Sequence, residues 1–520
     1  MKNGKSLRTI LLFGIAILFF ITGLQVYGIE KFSEELESSR ADLIMIDVMA
    51  RFGDLERPPV AFLHDLHTTV LEKQAKDCST CHLTSENRMV LQFKRIGKDI
   101  GKKGLMNLYH EECIGCHKAT AKVRLETGPV ECGGCHRKKQ ISSSMQPMQF
   151  DKSLHYRHSM AQNNKCEKCH HEYNKTTKKL FYEKGNEGSC RYCHLKQTNE
   201  NIESMSKVSH LSCIYCHKKT AEKNEKSGPV KCRSCHDLKY QKKIEKIIEV
   251  QRIERKQPDA VLVKKGNGKE NGRMDSVPFD HKAHEKYSER CIECHHKNLS
   301  SCSSCHALNG KKEGDWVKLF QVMHQPESKR SCMGCHFARQ KVKECRGCHS
   351  FLEKSRKQDD KSCRQCHYSI SLKNQEVVTF ESDKTIALKI LSERSSIRET
   401  VARDDIPEKI VFNKLSDTYK PFEMPHRKIV FSLMEKIKDN NLAAFFHSEK
   451  GTICKGCHHN SPVSLKPPKC GSCHGKPFDD KDKFRPGLKG AYHIQCMECH
   501  HNMGIKGLNG CTECHKEKKI

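Results

Sequence analysis

The stretch Val277–His296 reads VPFDHKAHEKYSERCIECHH and ends in Cys291-Ile-Glu-Cys294-His295. Two thiols at this spacing add to the two vinyl groups of one haem, and the histidine that follows becomes the first axial ligand of its iron. The same pentapeptide recurs until it has consumed all 32 cysteines of the chain. The first seven triads are Cys78, Cys81 and His82; Cys113, Cys116 and His117; Cys132, Cys135 and His136; Cys166, Cys169 and His170; Cys190, Cys193 and His194; Cys213, Cys216 and His217; and Cys232, Cys235 and His236. Five more are Cys291, Cys294 and His295; Cys302, Cys305 and His306; Cys332, Cys335 and His336; Cys345, Cys348 and His349; and Cys363, Cys366 and His367. The last four are Cys454, Cys457 and His458; Cys470, Cys473 and His474; Cys496, Cys499 and His500; and Cys511, Cys514 and His515. With 32 histidines among 520 residues, a histidine after every pair is not chance. Zinc sites pair two Cys-x-x-Cys knuckles and need no histidine after each. Disulfide frameworks fix no histidine at all. The pattern predicts 16 covalently bound haem c groups, one for each pentapeptide.

As many histidines stand outside the motifs as within them: His64, His67, His110, His155, His158, His171, His210, His281, His284, His296, His324, His426, His447, His459, His493 and His501. A surplus equal to the haem number marks them as second axial ligands. One set follows from internal comparison. The first haem cluster has Leu83 where others have a second histidine after the motif, and it also has one haem fewer. The second histidine therefore serves the next haem along, pairing His171 with His194, His296 with His306 and His459 with His474. Neighbouring residues that ligate different irons force their haems together. His-x-x-His pairs do the same on a helix, because positions three apart share a face.

The elements that position these residues cannot rest on an ordinary core. Apolar residues make up 36% of the chain, cysteines included, against a usual 45–50%. One haem per 32.5 residues (520/16) supplies the missing core instead. The expected fold is a multihaem cytochrome c, with short helices and irregular loops wrapped on covalent haem and little sheet. Without haem the chain should not fold, as small metal domains do not without their metal.

The formal charge of +30 would suggest an acidic partner or nucleic acid. Propionates and iron change the sum, to roughly +14 with all haems ferric and roughly −2 with all ferrous, because a bound ion's charge enters the count. The basic residues read as propionate partners and solubilising charge, with no nucleic-acid role. The N-terminus has Lys2, Lys5 and Arg8, then an apolar run from Ile10 to Leu24. Residues 1–28 read as a signal peptide or as an N-terminal anchor, and both export the haem part. No other span is present.

The motifs group into modules. A trihaem module covers 59–137, with His64-x-x-His67 at its head and His110 three residues before Cys113. A tetrahaem module covers 150–237. Its second half repeats the first module at an offset of 100 residues, with residues 110–136 and 210–236 agreeing at 14 of 27 positions; such a duplication governs architecture. A linker spans 238–276, with Gly266-Asn267-Gly268 as a flexible signal, and the main domain boundary falls in it. A second tetrahaem module covers 277–350. A single-haem connector follows at 351–442, with a short strand at Val377–Phe380 and a helix at Thr385–Glu399. Within it a further helix begins at His426 and runs to Phe446, with Ile429, Leu433 and Ile437 as its apolar stripe, read as simple packing. The last tetrahaem module covers 443–520 and has Ala444 where the first histidine of a His-x-x-His pair should stand.

His-x-x-His, Cys-x-x-Cys-His-His and the late His-x-x-Cys-x-x-Cys-His together resemble the class III, tetrahaem-type cytochromes c of sulfate reducers. The 3 + 4 + 4 + 1 + 4 layout is similar to sixteen-haem members of that family, over about residues 59 to 515. The resemblance implies further pairs: His64–His82, His67–His117 and His110–His136; His155–His170, His158–His217 and His210–His236; His281–His295, His284–His336 and His324–His349; His447–His500 and His493–His515. The haems of His367 and His458 are left over, together with His426 and His501. Either both histidines are recruited, or one haem keeps a single imidazole, as the family's high-spin haem implies.

Two imidazoles per iron, with no methionine, predict low potentials and no vacancy for substrate. The expected function is electron transfer, not catalysis, with no small-molecule substrate. By resemblance, electrons come from periplasmic hydrogenase or a tetrahaem cytochrome c. They pass to a membrane redox complex in anaerobic sulfate respiration, in the periplasm and with the N-terminal segment as a tether if it is not cleaved. The alternatives are a multihaem reductase, with an open haem at His367 or His458, and an extracellular electron conduit.

Overall fold

The computed structural model describes residues 39–85, 88–95, 100–199, 202–263, 274–352, 360–367, 383–395, 401–413, 419–476, 485–507 and 510–518. Residues 1–28, the strand expected at Val377–Phe380 and the Gly266-Asn267-Gly268 signal lie outside them. Among the described residues, no helix is long and apolar enough to cross a membrane.

Among the described residues helices are short, the longest being Leu488–Met503 with 16 residues, and the sheets are six two-stranded pairs. Apolar burial is confined to small patches: among the described residues the buried hydrophobic side chains are Ala41, Leu43, Leu105, Ala260, Leu319, Ala387, Ile390 and Ile406. Protein-on-protein packing thus provides no core of ordinary size. The chain divides into two compact units. One takes the chain through His171 together with Ser189–Ile253; the other takes Glu172–Gly188 and Glu254 onward.

In the first unit, the strands Leu43–Ile46 and Val60–Leu63 pair antiparallel and deliver the chain into the helix His64–Lys73, which carries His64 and His67. The 100-residue repeat is structural as well. Gly101–Tyr109 and Met205–Ser209 each run into one π-helical turn, His110–Ile114 and His210–Ile214. The helices Gly115–Lys122 and Tyr215–Glu222 continue from them. Such single π turns inside helices occur often at functional sites, and here each begins on a candidate ligand and holds the first cysteine of a motif. Both copies leave the helix through a left-handed residue, Arg124 (φ 58°) and Asn224 (φ 59°).

In the second unit, Ala260–Val263 pairs antiparallel with Val277–Asp280, so the 238–276 stretch is not linker throughout. The strand within it pairs with Val277–Asp280, which leads directly into the helix His281–Tyr287. The helix read at Thr385–Glu399 is described over Asp383–Ser395 and packs on this strand pair. The expected helix from His426 to Phe446 is two helices, His426–Ile437 and Asn441–Phe446. The Asn440 side chain accepts the Ala443 amide at 3.0 Å and caps the second one, which is why the chain restarts there.

Candidate haem sites

Many of the Cys-x-x-Cys-His motifs fold as one tight turn, while others, such as Cys113–His117 and Cys496–His500, lie within longer helical stretches. The histidine amide donates to the first cysteine's carbonyl at 2.8 Å in Cys132–His136, Cys291–His295, Cys302–His306 and Cys511–His515. This gathers two sulfurs and an imidazole within one turn. Most rings are then held from behind by Nδ1 donating to a backbone carbonyl. Examples are His117 to Pro129 (2.7 Å), His217 to Pro229 (2.9 Å), His367 to Asp275 (2.7 Å) and His474 to Pro486 (2.8 Å). Such outer partners fix the tautomer and leave Nε2 for a metal. They explain a repeated Gly-Pro. A Cβ on Gly128 would lie 2.4 Å from Cε1 of His117, and one on Gly228 would lie 2.3 Å from Cε1 of His217. Glycine is required where ring and backbone approach so closely.

Above the attachment turns, imidazoles face one another in pairs. In the first unit His64 faces His82 at 6.3 Å between ring centres, His67 faces His117 at 6.2 Å and His110 faces His136 at 6.4 Å. His155 faces His170 at 6.1 Å, His158 faces His217 at 6.1 Å, His171 faces His194 at 6.0 Å and His210 faces His236 at 5.9 Å. In the second unit His281 faces His295 at 6.2 Å, His284 faces His336 at 6.4 Å and His296 faces His306 at 5.9 Å. His459 faces His474 at 5.8 Å and His493 faces His515 at 6.0 Å. Two imidazoles bound at about 2 Å on opposite sides of one metal put their ring centres roughly 6 Å apart. The residues present therefore fit iron between each pair.

Three pairs differ from the family expectation or complete it. His324 faces His367 at 5.9 Å, not His349. His349 faces His447 at 6.0 Å, so His447 does not face His500. His426 faces His458 at 6.4 Å. These shifts have one cause. The extra haem motif of the connector sits where His324 reaches it, so the last motif of the 277–350 module takes its partner from the next module. His447 occupies the place of His158 and His284, which face the third motif of their own modules. Its diversion leaves His500, the third motif histidine of the last module, with no facing imidazole. His501 is exposed on the same helix. The candidate open position is thus at Cys496, Cys499 and His500, and not at His367 or His458.

Burial holds several of these rings neutral. It lowers the pKa of His67, His82, His336, His426 and His447. Burial, and then the facing His447, bring His349 down to about 4. Neutral imidazole is the state that binds metal.

Residue reading missed the aromatic backing of the ligands. Phe62 lies 4.2 Å from His67, Phe279 4.2 Å from His284, Phe150 4.9 Å from His158 and Phe320 4.5 Å from His324. Phe62 and Phe279 each stand two residues before the His-x-x-His pair, a signal visible in the sequence.

Attachment turns beneath facing imidazoles define a multihaem c-type cytochrome, with haem c bound covalently. The chain belongs to the class III cytochrome C family, whose model matches residues 42–136, 137–236, 258–367 and 425–519. It is 42% identical, over the whole length of both chains, to the high-molecular-weight cytochrome c of Nitratidesulfovibrio vulgaris Hildenborough. The crystal structure of the high-molecular-weight cytochrome c of Desulfovibrio vulgaris (Miyazaki F) in the presence of zinc ion matches with a TM-score of 0.84 and 41% identity, covering 92% of this chain and 98% of that one. The sixteen-haem cytochrome of Desulfovibrio gigas matches with a TM-score of 0.72 and 36% identity, covering 92% and 100%. Electron transport is the function such cytochromes share.

Proposed function

We propose that this chain is a periplasmic electron carrier and store with sixteen haems, fifteen held by two imidazoles and one, at Cys496, Cys499 and His500, held by His500 alone. The facing imidazole pairs carry this reading. Bis-histidine ligation without methionine keeps potentials low. It also leaves those irons no position for a substrate, which suits a carrier. The donor is a periplasmic hydrogenase or tetrahaem cytochrome c and the acceptor a membrane redox complex, in anaerobic sulfate respiration. That assignment rests on the class III layout.

The test is low-temperature EPR of the oxidised holoprotein with a pyridine haemochrome count. Sixteen haems are expected, with about one in sixteen high-spin. An all-low-spin spectrum overturns the single-imidazole site, and several high-spin haems overturn the pairing scheme.

The unpaired His500 supports a second reading, a reductase at that haem. Steady-state assays with nitrogen and sulfur oxyanions separate the two. Turnover that is lost in a His500 variant makes the protein an enzyme; its absence leaves the carrier.

A further inference from the structure

The buried Asp65 joins two modules that the haem plan alone would leave separate. It lies between His64 and His67 of the trihaem module and is 7% exposed. Its Oδ1 accepts the backbone amide of Cys232 at 2.8 Å, and its Oδ2 accepts that of Arg233 at 2.8 Å. Those amides open the short helix Cys232–His236, the last attachment turn of the 150–237 module. That helix has no cap of its own, because the residue before it is Lys231, whose side chain accepts nothing. A carboxylate from another module thus satisfies the first free amides of the turn.

The same contact sets two haem-binding groups against each other. The sulfur of Cys232 lies 3.7 Å from Nδ1 of His64, and Oδ1 of Asp65 lies 3.9 Å from the same nitrogen. Where His67 and His158 turn Nδ1 to a carbonyl of their own helix or its entry, His64 turns it to the junction. Asp65 is itself held from behind: its amide donates to Oδ2 of Asp42 at 3.2 Å, and Asp42 is fully buried and paired to Arg40. Lys231 adds bonds to Glu72 at 2.9 Å and Thr69 at 3.1 Å on the same helix.

Internal comparison separates this residue from haem binding. The position after the first histidine is Asp65 here, but Tyr156 and Lys282 in the two following modules and Phe445 after Ala444 in the last. Haem ligation therefore does not require a carboxylate there.

We propose that Asp65 is a positioning residue of the junction between the trihaem module and the first tetrahaem module, capping the Cys232 attachment turn from the other module and fixing the Cys232 sulfur against the His64 imidazole. The inference rests on the electron-carrier reading for its purpose, since it holds the ligand of one haem against the thioether of another. The contacts that carry it lie within the chain itself.

The test uses full-length holoprotein carrying Asp65→Asn, Asp65→Ala or, as conservative rescue, Asp65→Glu, each checked for haem content. Amide hydrogen exchange is followed in the peptide containing Cys232 and Arg233, and the low-spin ferric EPR signals are compared with the parent. With haem content unchanged, Asp65→Asn and Asp65→Ala are expected to speed exchange at these two amides many-fold. They should also shift the g-values of one or two low-spin haems while the rest stay put, and Asp65→Glu should restore part of both. Unchanged exchange and an unchanged spectrum in Asp65→Ala overturn the proposal. So does a loss of haem from all three variants, which would make Asp65 a maturation requirement and not a junction contact. Lys231→Ala is the companion variant: it loosens the same interface from the rim and is expected to speed exchange by a smaller factor without moving any g-value. A g-value shift equal to that of Asp65→Ala would overturn the specific role of the carboxylate. None of these readouts depends on electron delivery to a partner, so failure of the carrier function would appear separately.

Discussion

At the residue scale, the histidine pairs give the sharpest predictions, because each paired ring has one facing imidazole. Removing His447 should uncover the haem at His349 and leave the haem at His500 as it was. His447→Ala should therefore raise the high-spin signal from about one haem to about two in sixteen. An unchanged signal would mean that His447 completes no haem and would overturn the pairing with His349. The glycines behind the motif histidines are equally specific. Gly128→Ala or Gly228→Ala drives a methyl into the ring of His117 or His217. Such overpacking costs about 1–3 kcal/mol, so the denaturant midpoint of the holoprotein should fall and the low-spin signal of one haem should broaden. Alanine at Gly133, which has open space around it, is the matched control.

Elements act here as clamps between motifs. The helices Lys343–His349 and Leu488–Met503 pack on each other, with Arg346 donating to the Asn502 carbonyl at 2.9 Å. Gly456, inside the motif at Cys454, leaves room for a third partner: its Cβ would lie 2.9 Å from Cβ and 3.1 Å from Sγ of Cys348. Once Cys348 is tethered to haem it cannot swing away, so Gly456→Ala should destabilise the second unit by about 1–3 kcal/mol. A lowered denaturant midpoint with full haem content would show it. A further ion pair joins the first two modules. Asp77 is held down at about 2 by Ser79 and by Lys218, whose ammonium lies 3.2 Å away. A carboxylate whose folded pKa lies below its ordinary 3.8 adds stability above that value and loses it as pH falls towards 2. The pair is exposed, so Asp77→Asn should cost less than about 1 kcal/mol at neutral pH. The difference from the parent should vanish between pH 4 and 2 in parallel denaturant titrations.

For the whole molecule the governing quantity is charge. The polypeptide carries +30, and the sixteen haems proposed above would bring this to roughly +14 oxidised and roughly −2 reduced. Anaerobic isoelectric focusing should show the reduced protein far more acidic than the oxidised one. A small shift would mean fewer haems, or protons taken up with the electrons. Association with an acidic partner should weaken on reduction and in high salt, since steering by net charge is screened.

The attachment chemistry was legible in the chain alone. Two thiols and an imidazole in five consecutive residues fold as one turn, so Cys232–His236 or Cys511–His515 needs nothing distant to be recognised. The 100-residue repeat was legible too, down to the matched π turns at His110 and His210. Short helices with little sheet followed from a composition too poor in apolar residues to build a core. The second imidazole of each pair is different, because it arrives from another element. Within a module the order of motifs repeats, and pairs such as His171 with His194, inferred from internal comparison, and His158 with His217, implied by the family resemblance, face each other in the structure. At the connector that order breaks. His324, His447 and His426 each have two irons within reach of any sequence argument, and only packing chooses between them. The choice at His324 passes to His349 and His447 and ends at His500. The Asp65 junction was hidden for the same reason, since its partners are amides 167 and 168 residues away. Local spacing determined what binds haem; the tertiary structure decided which histidine completes each site, because facing rings must meet across space and not along the chain.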